Sequence, residues 1–140
     1  MFKDRQLRYD DPNRLRSYAN FKKNLEDILR AGQNAGVPVI LSTVGSNLKD
    51  CAPFGSLHPA EFNETQQTRW DGLYQEGVAL EAASDYHGAI KKFEQAAAVD
   101  PQYAELHFRA GSCELALTNS EEALRDFTLA RDCLLYTSCE

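Results

Sequence analysis

The sequence predicts a mixed fold, a helix–strand piece of an α/β domain followed by an all-α array of helical hairpins. Three observations in the 140-residue chain carry this expectation. Apolar residues recur at helical spacing from Leu15 to Leu29, a β-branched run follows at residues 37–44, and the second part of the chain aligns with itself at an offset of 34 residues. Charge divides the chain too. Residues 1–50 carry nine Lys/Arg against six Asp/Glu, whereas residues 51–140 carry six against fifteen, within an overall net charge of -6. A hydrophobic content of 43% excludes a wholly disordered chain. No apolar run approaches the roughly 18 residues that span a bilayer.

The first element is a helix over about 12–32. Asp10 and Asp11 precede Pro12, so a carboxylate can cap free N–H groups while proline occupies the first turn. Leu15, Tyr18, Phe21, Leu25, Ile28 and Leu29 then form one stripe, leaving Arg14, Arg16, Lys22, Lys23, Glu26 and Asp27 mostly on other faces. Gly32 or Gly36 supplies the end. The run Val37-Pro38-Val39-Ile40-Leu41-Ser42-Thr43-Val44 has the pattern of a buried parallel strand, about 37–44, with Pro38 near its start. A lone strand cannot satisfy its backbone, so residues 1–50 are expected to be part of a larger α/β sheet. Ligands of open α/β sheets collect beyond the carboxyl ends of strands, which places Gly45, Ser46 and Asn47 best, with a simple turn as the alternative.

Pro53, Gly55 and Pro59 describe an irregular linker over 51–63. Asn47, Lys49, Asp50, Cys51 and His58 do not make a catalytic group, because nearness in sequence supplies neither the geometry nor the electropositive site a thiolate needs. Cys51, Cys113, Cys133 and Cys139 have no C-x-x-C spacing, and His58, His87 and His107 have no metal-ligand spacing. No catalytic, cofactor-binding or metal-binding residue is therefore assigned. Scattered basic residues and an acidic second half argue against nucleic acid. The charged start, Met1 to Arg8, lacks the apolar core of a secretory signal or membrane anchor, and the sequence does not indicate a compartment.

At the offset of 34, Gly77 pairs with Gly111, Ala89 with Ala123, Phe93 with Phe127 and Ala96 with Ala130, while Tyr74 falls on Phe108 and Ile90 on Leu124. With Leu73, Leu80 and Pro101 added, this pattern resembles the tetratricopeptide repeat, with copies at about 70–103 and 104–137 inside a repeat region of 64–132. Glycine and alanine let helices approach closely, and the phenylalanines fill the core. Glu76, His107 and Glu114 depart from the repeat's usual residues. Asn63 with Gln66 resembles a capping box, so the first repeat helix is expected to begin near Glu64 and to carry Trp70 on its extension. The resemblance implies a peptide groove lined by Tyr74, Val78, Glu81, Phe108, Ser112 and Leu115, apolar and aromatic, without the basic and amide side chains that grip a terminal carboxylate. The alternative is that Tyr74 and Phe108 pack against the rest of the same protein.

The order of segments, Tyr18 to Leu29, Gly36 to Val44, Asn47 to Phe54 and then the repeats, resembles bacterial SGNH-type (GDSL-like) hydrolases with a tetratricopeptide insertion. That resemblance implies a flavodoxin-like α/β domain and, where active, ester hydrolysis by residues outside this chain, whose own piece is inert. It implies partners that are proteins or peptides, or the remainder of the α/β domain; a pure interaction scaffold is the second reading. Finally, Cys133 to Ser138 is what TGT CTC TTA TAC ACA TCT encodes, which resembles a sequencing-library transposase adaptor. Residues 133–140 are expected to be an adaptor-derived tail, the alternative being a natural helix end continued by Leu134 and Leu135.

Overall fold

The computed structural model describes residues 6–7, 11–43, 45–133 and 136–137. Five helices appear among them: α1 (Pro12–Asn34), α2 (Glu64–Ala82), α3 (Tyr86–Ala97), α4 (Ala104–Ala116) and α5 (Ser120–Asp132). A two-residue antiparallel ladder pairs β1 (Gln6–Leu7) with β2 (Tyr136–Thr137). Helix α2 packs on α3, α3 on α4 and α4 on α5, so two hairpins stack side by side.

The 34-residue offset recurs in the backbone. Helices α2 and α4 end at Ala82 and Ala116, and α3 and α5 start at Tyr86 and Ser120. Ser84 and Thr118, each with positive φ, reverse the chain between them, and matching amide bonds, Asp85 to the Leu80 carbonyl and Asn119 to the Glu114 carbonyl, close both turns at 2.9 Å. The side chains repeat as well. A Cβ on Gly77 would meet the Phe93 ring and one on Gly111 the Phe127 ring, which is why glycine stands at both crossings. Ala89, Phe93 and Ala96 of α3 are buried, as are Ala123, Phe127 and Ala130 of α5. Leu106, Ala110 and Cys113 of α4 join Trp70, Tyr74 and the α3 residues in the core, with Leu73, Leu80 and Val99 packed against it. Pro101 lies in the turn before α4.

The start of α2 is fixed by reciprocal bonds, Gln66 N–H to Asn63 Oδ1 at 2.9 Å and Asn63 N–H to Gln66 Oε1 at 3.1 Å. Helix α1 is capped by the Asp11 carboxylate, which accepts from Asn13 N–H at 2.8 Å. It ends in a Schellman motif: Gly36 takes φ +66, Gly36 N–H bonds to the Gln33 carbonyl and Val37 N–H to the Gly32 carbonyl.

The expected α/β piece is overturned. Among the described residues the regular elements are the five helices and the two-residue ladder, and residues 37–43 form no strand; Val44, the last residue of the expected strand, lies outside the described residues. Val37, Val39, Ile40 and Leu41 are exposed, Ile40 at 93%. A β-branched run becomes a strand only when a neighbouring chain accepts its hydrogen bonds, and among the described residues none pairs with it. The apolar stripe of α1 meets no sheet either: Leu15, Phe21 and Ile28 are exposed. Helix α1 joins the repeats through Arg14, whose Nη2 donates to the Asp132 carbonyl at 2.7 Å. Of the expected tail, Cys133 caps α5 and is buried, whereas Leu134, Leu135 and Ser138 to Glu140 lie outside the described residues.

Candidate functional site

The inner sides of α2 and α4 frame an open cleft of ≈ 480 Å³ lined by Val78, Glu81, Ala82, Tyr86, Arg109, Ser112 and Ala116. Three of the expected groove residues, Val78, Glu81 and Ser112, meet here. Phe108 lines two neighbouring hollows instead. Tyr74 is buried, stacked on Trp70 at 4.7 Å, and reaches the cleft only through its hydroxyl. Leu115 is exposed and lines none of these three spaces.

Arg109, a basic residue outside the expected groove set, stands in the cleft. It has three partners: Nη1 donates to Glu81 at 2.9 Å, and Nε donates to the Tyr74 hydroxyl at 2.9 Å and to Glu105 at 3.3 Å. Burial works against the Arg109 charge, but the Glu81 carboxylate and Tyr74 outweigh it and hold the guanidinium above its ordinary range. Burial, reinforced by Glu105, pushes the Tyr74 phenol up. An arginine tied this way links α2 to α4 rather than offering a free cation to a carboxylate.

The residues 46–58 cross this face as a strap. Ala52 and Pro53 share a hollow of ≈ 330 Å³ with Glu81, Glu105, Phe108, Arg109 and Ser112. Further back, Ser46 to Phe54 bound an apolar hollow of ≈ 200 Å³ against Phe108, Phe127, Ala130 and Arg131. The far end of the strap is latched. Glu105 N–H, a free donor in the first turn of α4, bonds to Ser56 Oγ at 2.9 Å, so the strap caps a helix whose own N-cap, Tyr103, makes no side-chain bond. His58 Nδ1 lies 2.7 Å from the Oδ2 of Asp100, which is fully buried. The imidazole stacks on Phe62 at 4.4 Å and Tyr103 at 4.7 Å and meets Trp70 edge-on at 4.6 Å. Asp100 also accepts from Gln102 N–H at 3.0 Å, so a single carboxylate shapes the turn into α4 and holds the strap.

These latch residues were not selected by sequence reasoning. The signal present was a histidine in a Pro/Gly-rich linker and an aspartate before Pro101, forty-two residues apart. Of the remaining ionisable groups, His107 is buried, with Nε2 donating to the Pro101 carbonyl at 2.8 Å and Nδ1 3.9 Å from Asp126. Among the described residues no His/Cys/Asp/Glu group is arranged to hold a metal ion, and no helix is long and apolar enough to cross a membrane. Gly45, Ser46 and Asn47 sit in irregular chain at the start of the strap, where Asn47 Oδ1 accepts from Asp50 N–H at 3.0 Å. Comparison with protein-family models, curated proteins and solved structures finds no match.

Proposed function

We propose that the two hairpins are a tetratricopeptide-like protein-interaction module whose α2–α4 face grips an extended peptide segment, and that in this chain the segment gripped is its own strap, residues 46–58. The observation that carries this reading is the latch: a peptide hydroxyl on a helix N–H and an imidazole on a buried carboxylate, both from a segment without helix or strand lying against the repeat face. Extended segments are held in this manner when the host supplies unpaired donors and an aromatic pocket for alternate side chains. The reading is intramolecular packing first. The same face serves a separate peptide when the strap is loosened.

The test is fluorescence anisotropy with a labelled peptide copying residues 46–58. The Ser56→Ala/His58→Ala double variant of the full chain is expected to bind it, and the wild-type chain at least about tenfold more weakly, because its own strap competes at high effective concentration. Equal binding by both, or binding by neither, refutes the reading.

A further inference from the structure

Helix α5 leaves an outer face exposed that its counterpart in the first hairpin does not. Ile90 on α3 is half-buried against the core that α4 completes, whereas its counterpart at offset 34, Leu124 on α5, is 59% exposed. Leu129 on α5 and Leu115 on α4 are exposed as well. A repeat cannot bury its hydrophobic face alone, so a repeat whose outer leucines stay exposed wants a further helix laid across it.

The chain carries such a helix. Helix α1 shows Leu15, Phe21 and Ile28 to solvent on one stripe, Phe21 at 67%. A helix of 23 residues draws most of its stability in water from packing such a stripe. The charges match. Helix α1 holds five Lys/Arg and two Asp/Glu, a net +3, and α5, which carries Leu124 and Leu129, holds two Arg and four Asp/Glu, a net -2. Within one chain, the Arg14 bond to the Asp132 carbonyl fixes the start of α1 at the end of α5 while Leu124 stays uncovered.

We propose that the chain forms a two-fold dimer in which α1 of each copy lays its apolar stripe across the α4–α5 end face of the other. Helix and seat are both present on one chain with opposite charge, so a second copy satisfies both at once through a self-complementary contact. This pairing is independent of what the α2–α4 cleft holds.

The test is sedimentation equilibrium on the full chain. Wild type is expected to be dimeric at micromolar concentration. Phe21→Glu on the helix and Leu124→Glu on the seat are each expected to weaken dimerisation at least about tenfold, because each places a charge in an apolar contact. Both side chains are exposed, so circular dichroism of the repeats should be unchanged. Mixing the two variants restores association that neither shows alone, since the intact α1 of one meets the intact seat of the other. A wild-type chain that stays monomeric up to about 200 µM overturns the proposal. So does a dimer indifferent to both substitutions, or a mixture that stays monomeric.

Discussion

Replacing Gly77 and Gly111 by alanine, one at a time, makes the same chemical change at equivalent places and should give different results. A Cβ on Gly77 would lie 2.6 Å and 2.8 Å from two carbons of the Phe93 ring, against an optimal separation of about 3.5–4.0 Å. The ring would have to retreat by about 1 Å, yet Phe93 has no exposed surface and packs in the core with Tyr74, Ala89 and Ala96. Overpacking costs about 1–3 kcal/mol, and with a fully buried ring that has nowhere to retreat the cost lies at about 2–3 kcal/mol, of which the better helix propensity of alanine returns about 1 kcal/mol. The net loss expected for Gly77→Ala is about 1–2 kcal/mol, a fall in Tm of about 5–10 °C for a helical unit of this size. On Gly111 the Cβ would sit 3.1 Å from the Phe127 ring and 3.2 Å from the Ala123 carbonyl oxygen. Phe127 borders the ≈ 200 Å³ hollow beneath the strap, so a shift of a few tenths of an ångström suffices. Gly111→Ala should therefore fall within about 0.5 kcal/mol of wild type. Thermal and urea unfolding followed by circular dichroism read both variants. Wild-type stability in Gly77→Ala, or a larger loss in Gly111→Ala, would show that the repeats do not pack as described.

The buried His107 should make stability depend on pH. Burial opposes its charge, but the bond toward Asp126, the Pro101 carbonyl and the nearby Asp100 charge raise its pKa above the ordinary 6.5. A raised histidine adds stability that is fully present below pH 6.5 and is lost as pH rises through the folded-state value. Urea midpoints should fall with rising pH from 6.5 upward in wild type and less in His107→Gln; parallel slopes would refute this. Thiol labelling under native conditions should modify the exposed Cys51 rapidly and spare Cys113, whose pKa burial and the Glu81 and Glu114 charges push up to about 12, and the buried Cys133. Fast labelling of Cys113 without unfolding would contradict the core described. Thr118 holds φ 66, a left-handed conformation that costs a β-branched residue about 1–2 kcal/mol, more than the entropy glycine forfeits. Thr118→Gly is accordingly expected to stabilise the chain by about 0.5–1 kcal/mol in the same unfolding assay, and a loss would refute it.

What was legible in the sequence was local or periodic. The pairing of Gly77 with Gly111 and Phe93 with Phe127 can be read because small and large residues must alternate at fixed spacing wherever helices cross closely. The start of α1 can be read because Asp11 and Pro12 act within one turn. The run at 37–44 misled because β-branched composition describes what a strand needs from its side chains and is silent on whether a neighbouring backbone exists. The groove was legible in part. Val78, Glu81 and Ser112 follow from helical periodicity, but Arg109 joins them only because Glu81 lies across the cleft, 28 residues away in sequence. The strap was not legible, since its bonds span 42 and 49 residues and obey no period.

The central claim, that the repeat face holds the chain's own strap, is tested most directly by a double-mutant cycle between His58 and Asp100. Urea unfolding of wild type, His58→Ala, Asp100→Ala and the double variant isolates their coupling from the second bond Asp100 makes to Gln102. A hydrogen bond to a charged group in this half-buried setting predicts a coupling of about 1.5–3 kcal/mol. A coupling indistinguishable from zero would mean that His58 does not rest on Asp100 in solution and that the strap is not held against the repeats.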